Sequence, residues 1–178
     1  INVVDATNLD RNLYLSTQLL ELNIPMVIAL NIYDEVQRAG IKIDIPHLSD
    51  LLGLCVIPVS AKTGKGFDTL LATILNKKMT CRSLTHKLEH YPELEEAMNI
   101  LKPSLIKDTD LTARYAPGWL ALKLLEKDKT IYKMIHERPV WIELEPQVQR
   151  LIKNLEKHFE QDVLTTLVES RYAFIRGA

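Results

Sequence analysis

Ile24-Pro25-Met26-Val27-Ile28-Ala29-Leu30-Asn31-Ile32-Tyr33-Asp34 is the stretch whose reading decides the fold. Met26 to Leu30 is an unbroken apolar run, short for a helix and lacking the polar alternation of a strand with one wet face. Such a run suits a strand covered on both faces, as in a parallel α/β sheet. The pattern recurs on either side of it. Ile1-Asn2-Val3-Val4 reads as a strand ending at Asp5-Ala6-Thr7-Asn8, and Cys55 to Val59 as one ending at Ser60-Ala61-Lys62. Helical patterns fill the gaps. Leu9 to Leu22 carries leucines at 9, 13 and 20 and at 15, 19 and 22, a broad apolar face stopped by Asn23 and Pro25. A short helix from Asp34 to Ala39 stops at Gly40. Ile45 to Leu52 has Asp44 as N-cap and Pro46 in its first turn, and Gly53 closes it. Thr63-Gly64-Lys65-Gly66 is a turn, and Phe67 to Leu75 a helix with Leu70, Leu71 and Ile74 expected inside. Strands alternating with helices predict parallel βαβ units over residues 1–78.

After Lys77-Lys78 the pattern changes, with no convincing run of strand length. Tyr91 to Leu101, Pro117 to Leu125, Thr130 to Glu137, Pro146 to Phe159 and Gln161 to Ile175 all show helical spacing. Asp110, Glu145 and Gln161 sit near expected helix starts, and Pro92, Pro117 and Pro146 suit first-turn positions. Residues 79–178 are therefore expected to form a small all-α domain.

The bulk composition excludes several classes of function. With 47% hydrophobic and 25% charged residues, the 178-residue chain is an ordinary globular sequence able to bury a core. Its formal net charge of −1 supplies no field to recruit nucleic acid or an anionic membrane. The two parts do not differ: seven basic residues face eight acidic ones up to position 80, and fifteen face fifteen beyond it. Cys55 and Cys81 lack metal-ligand spacing, and two thiols make no disulfide framework, so a reducing compartment is the default. No apolar stretch approaches the length of a membrane span. The chain opens at Ile1 inside a strand pattern, which leads us to expect a soluble piece of a longer protein.

Ligands of a parallel α/β sheet sit outside the carboxyl ends of its strands. Three such ends occur here: Asp5-Ala6-Thr7, Asn31 to Asp34, and Ser60-Ala61-Lys62. An Asp in such a loop can accept hydrogen bonds from both the N1–H and the 2-amino group of guanine, a strong and directional bidentate pair. Adenine lacks those paired donors and would leave the carboxylate unmatched. Asn31 is placed to brace the loops and reach the purine N7, and the Ala61 backbone N–H to meet O6. Taken alone, N-x-x-D reads as a helix cap with an Asx turn; its pairing with Ser60-Ala61-Lys62 at the next strand exit favours the binding reading. Gly64-Lys65-Gly66 is not a phosphate-binding P-loop, because Gly66 stands where Ser or Thr must hold Mg²⁺ and the glycine spacing is wrong. His86 and His90 have helical metal-ligand spacing but no third ligand, so no metal site is expected. No pattern of nucleophile, base or paired carboxylates points to a catalytic residue on this chain. Trp119 and Trp141 read as helix-packing anchors.

INVVDATNLDRNLYL at residues 1–15 resembles the segment after switch II in FeoB, the prokaryotic ferrous-iron transporter family. LLELNIPMVIALNIYDE at 19–35 resembles the strand and guanine-specificity motif of that family, and residues up to ESRYAFI at 169–175 its cytosolic helical domain. The resemblance covers essentially the whole chain. It implies residues 1–78 to be the C-terminal half of a P-loop GTPase-like G domain, without its P-loop half, and 79–178 a helical domain that restrains GDP release. Asn31 and Asp34 would be the G4 pair, with Asp34 reading guanine, and Ser60, Ala61 and Lys62 the G5 motif. Ile32 replaces the lysine common among GTPases, as is frequent in FeoB proteins, and implies modest nucleotide affinity. The P-loop, switch I and D-x-P-G motif would precede Ile1, and with them the phosphate cradle, the Mg²⁺ ligands and the attacking water. The resemblance thus implies a parent that hydrolyses GTP at the cytoplasmic side of the bacterial inner membrane, and a segment without that activity by itself. Its partners would be a guanine nucleotide (GTP or GDP), the upstream half of the G domain and the parent's transmembrane region, with no nucleic acid. The rival expectations are a non-catalytic interaction module, prone to self-association through an exposed sheet edge, or part of another α/β GTPase carrying G4.

Overall fold

Three parallel strands, β1 (Asn2–Asp5), β2 (Val27–Asn31) and β3 (Cys55–Pro58), lie side by side in that order. They belong to a computed structural model that describes residues 1–22, 24–76 and 91–177. The chain divides into two compact units, residues 1–86 with 172–178 and residues 87–171.

In the first unit β2 is central and inaccessible. Val27, Ile28 and Leu30 are fully buried and Ala29 nearly so, which is why its sequence shows no polar alternation. Ile28 and Leu30 face one core with Val4, Leu13, Val36, Leu48, Leu52 and Val56, drawn from β1, β3, α1 (Leu9–Leu20), α2 (Tyr33–Arg38) and α3 (Ile45–Leu52). Val27 and Ala29 face a smaller core with Val59 and with Leu70 of α4 (Phe67–Leu75). Residues 172–178 also belong to this unit: Ile175 is buried in the first core and Tyr172 stacks on Tyr14 at 5.1 Å.

Two expected inward leucines turn out instead to face solvent. Leu71 is 53% exposed because the stripe of α4 that meets the sheet is Leu70 and Ile74, four apart, and the next residue is rotated away. Leu15 is 54% exposed because α1 buries Leu13, Ser16 and Thr17, a stripe that includes two hydroxyls invisible to a count of leucines. The Ser16 hydroxyl is satisfied by Asn2, whose side-chain amide donates to it at 2.7 Å.

Among its described residues the second unit is helical throughout. It contains α5 (Pro92–Ile106), α6 (Thr109–Thr112), α7 (Pro117–Leu125), α8 (Lys129–His136), α9 (Trp141–Phe159) and the first part of α10 (Val163–Arg176). Two helices are longer than their expected spans. α5 runs past Leu101, through Pro103, to Ile106, and α9 begins at Trp141, leaving Pro146, expected in its first turn, and Glu145, expected near its start, in its interior. Both prolines are exposed, and the carbonyls they leave without a helical donor belong to Asn99 and Ile142, which are exposed too and can be met by water. Trp141 is buried edge-on to Tyr132 and Trp119 stacks on Tyr115, so both tryptophans anchor helix packing. Glu126 forms buried ion pairs with Lys123, at 2.6 Å, and with Arg171.

Candidate functional site at the strand exits

The parallel register sets Asp5 opposite Asn31 and Leu30 opposite Pro58, so the chain leaves all three strands at one rim. Backbone bonds join the second and third exits. The Val59 N–H donates to the Leu30 carbonyl at 2.8 Å, and the Tyr33 N–H to the Val59 carbonyl at 3.2 Å. A side chain adds a third tie across 30 residues of sequence: the Ala61 N–H donates to Asn31 Oδ1 at 3.0 Å. Asn31 therefore braces the two loops, and its NH₂ group is left as a donor. The Ala61 N–H, expected to face a ligand oxygen, is held by Asn31 in this structure.

Between Asn31 and the helix stands Ile32 with φ +63°. A β-branched residue in the left-handed region is a genuine outlier. It persists because the chain must pass from a strand to a helix in a single residue while Tyr33 is tied to Val59. That turn brings Asp34 into the first turn of α2, where a carboxylate is favoured by the helix dipole.

The Asp34 carboxylate is only 20% exposed, and Arg38 Nη2 approaches its Oδ2 at 2.6 Å. Ser60 is buried, and its oxygen accepts the Thr63 N–H at 3.3 Å. The Ser60 hydrogen bond, followed by that from Arg38, holds the Asp34 carboxyl below the usual carboxylate range, so it is ionised at neutral pH.

Residues 60–65 close on themselves: the Ser60 N–H donates to the Lys65 carbonyl at 3.0 Å, and the Gly64 N–H to the Ser60 carbonyl at 2.9 Å. Gly66, at φ +86°, has no room for a side chain, because a Cβ there would lie 2.2 Å from the Pro58 carbonyl oxygen. Ala61 and Lys62 stand exposed on this loop, so the rim gathers Asn31, Asp34 and Ser60 tightly and Lys62 loosely. Asp5 is occupied locally. It accepts from the Thr7 N–H and hydroxyl at 2.8 and 2.7 Å, bonds that lower its own pKa. Cys81, His86 and His90 lie outside the described residues, and among the described residues no group of three His, Cys, Asp or Glu could hold a metal.

Family comparisons agree over both units. The family model Ferrous iron transport protein B matches residues 1–74, and the FeoB cytosolic helical domain matches residues 91–178. The chain belongs to the FeoB family. It is 36% identical over 177 residues to the Fe(2+) transporter FeoB of Escherichia coli, covering 98% of this chain and 21% of that protein. It is 32% identical over 184 residues to the Fe(2+) transport protein A/Fe(2+) transporter FeoB fusion protein of Porphyromonas gingivalis, covering 100% of this chain and 22% of that one. The chain thus spans about a fifth of these curated relatives. Among solved structures, mGMPPNP-bound NFeoB from S. thermophilus superposes with a TM-score of 0.83 at 32% identity, over 99% of this chain and 64% of that one. NFeoB from the same organism bound to GDP.AlF4- and K+ gives 0.74 at 30% identity, over 97% and 65%.

Two features of this FeoB-family rim escape the motif reading. The left-handed Ile32 has no sequence signal, since nothing in its side chain favours that conformation. Arg38 did have one: an acid four residues before a base on a helix places the two on one face.

Proposed function

We propose that residues 1–78 read the guanine base of GTP or GDP and that residues 79–178 relay nucleotide state, within the cytosolic region of a longer FeoB-type Fe²⁺ transporter. One observation carries the reading. Asn31, at the second strand exit, is joined to Ala61 at the third by a direct hydrogen bond, and Asp34 in the next turn lies beside Ser60, whose hydroxyl lowers its pKa. A preorganised carboxylate beside a donor amide matches the N1–H, 2-amino and N7 groups of guanine. The relatives' names and the nucleotides bound in the NFeoB structures support the same reading. Phosphate binding, Mg²⁺ ligation and hydrolysis would fall to an upstream half of the G domain. Its place is suggested by Val3, which pairs in register with the buried Ala29 yet is 62% exposed. No helix among the described residues is long and apolar enough to cross a membrane, so transport would be the work of another part of the parent.

Fluorescent GDP binding by the full-length protein, with ADP as competitor, tests the base reading. Wild type should reject ADP, and Asp34→Ala should lose that preference by at least about tenfold, the discrimination a lost bidentate pair implies. Guanine preference retained in Asp34→Ala would sink the assignment. The rival reading, a non-catalytic module that self-associates, draws on the place of β1 as an outer strand of the three. It requires that the 178-residue chain dimerise on sedimentation and hydrolyse no GTP.

A further inference from the structure

Arg38 is the one group on the Asp34 carboxylate that the motif reading does not use. Its Nη2 lies 2.6 Å from Oδ2, from one turn further along α2, and the guanidinium itself is 62% exposed. An ionised carboxylate offers about four lone-pair sites. Arg38 occupies one from the helix and leaves at least the two that the N1–H and 2-amino group of a guanine require.

A free carboxylate turns about its Cβ–Cγ bond. Tied by a short charge-assisted bond to the next turn of its own helix it is restrained in its plane, and a bidentate acceptor depends on that plane far more than a single hydrogen bond does. We infer that Arg38 is a specificity-positioning residue: through its bond to Oδ2 it restrains the plane of the Asp34 carboxylate so that the remaining acceptor sites face the base. The inference rests on Asp34 reading guanine. It assigns to Arg38 no contact with the nucleotide and no part in hydrolysis.

Inosine diphosphate supplies the readout, because hypoxanthine keeps N1–H and lacks the 2-amino group. The ratio of its Kd to that of GDP reports the bidentate pair and nothing else in the molecule. In the full-length protein, Arg38→Ala should raise the Kd for GDP about three- to tenfold, as for one partly exposed charge-assisted hydrogen bond, and raise that for IDP less, so that the ratio falls. Arg38→Lys, which keeps a cationic donor near Oδ2, should recover most of the ratio. The thermal midpoint should stay put, since an exposed i, i+4 ion pair adds little to folding. An unchanged ratio in Arg38→Ala overturns the inference. So does tighter GDP binding, which would mean that the guanidinium competes with the base. Asp34→Ala measured alongside separates the two levels. If it keeps guanine preference, the base reading itself fails; if it loses preference while Arg38→Ala does not, only the role of Arg38 falls.

Discussion

Gly66→Ala should damage the strand-exit rim more than any other single methyl group added to it. At φ +86° an alanine carries the left-handed penalty of about 1–2 kcal/mol. Its Cβ would also stand 2.2 Å from the Pro58 carbonyl oxygen, about 1 Å inside ordinary C···O contact. That oxygen belongs to the backbone of β3 and cannot rotate away, so the 60–66 loop or the strand end must shift, at a further cost of about 1–3 kcal/mol. Gly64 is the internal control: its φ of +75° is similar, and nothing lies within 4 Å of a Cβ placed there. Gly64→Ala should therefore cost only the conformational part, about 1–2 kcal/mol. Urea unfolding followed by far-UV circular dichroism measures both variants. Trp119 and Trp141 both lie in the second unit, so the tryptophan-monitored transition should move less than the circular-dichroism one. If Gly66→Ala costs no more than Gly64→Ala, the Pro58 contact does not constrain this loop.

Two further outcomes concern the helical unit. Arg138 Nη1 lies 2.7 Å from each oxygen of Asp108, and this pairing lowers the Asp108 pKa from its ordinary 3.8. A depressed carboxyl stabilises the fold above its unfolded pKa and loses that contribution as pH falls through its folded pKa. Asp108→Asn, which keeps a capping oxygen for Leu111, should cost about 1–2 kcal/mol at pH 7, and urea titrations should show the gap from wild type closing below pH 3.8. Glu126→Ala removes the carboxylate between buried Lys123 and Arg171, and thermal unfolding should reveal a loss of about 3–5 kcal/mol.

The parallel sheet was legible because β2 is buried on both faces, and a doubly buried strand writes itself as an unbroken apolar run. Asp44 and Gly53 bound α3 as expected because capping is local chemistry, complete within four residues. Legibility failed where burial is shared between elements. Nothing local says that α1 meets β1 through Ser16 instead of Leu15, because that choice depends on Asn2 across the contact. Pro146 misled for a similar reason: a proline bounds a helix only where the carbonyl it orphans cannot find water. At the rim, residue types were readable and hydrogen-bond assignments were not. Asn31 was placed correctly as a brace, while its partner, the Ala61 N–H, is fixed by a register that only the folded sheet determines.

The complete burial of β2 has a consequence for how this rim can adapt. Asn31 terminates the least accessible strand of the unit, whereas Ala61 to Lys65 form an exposed loop held chiefly by its own backbone bonds. Local opening free energy follows burial and contact density, so amide exchange should be slowest at Ile28 to Leu30 and fast at Lys62 in the exposed loop. The two halves of the rim then sit at opposite ends of the unit's protection scale, one a stationary jaw and the other a yielding one. Any adjustment of the rim falls to residues 61–65, and Asn31 is the fixed point against which it is made.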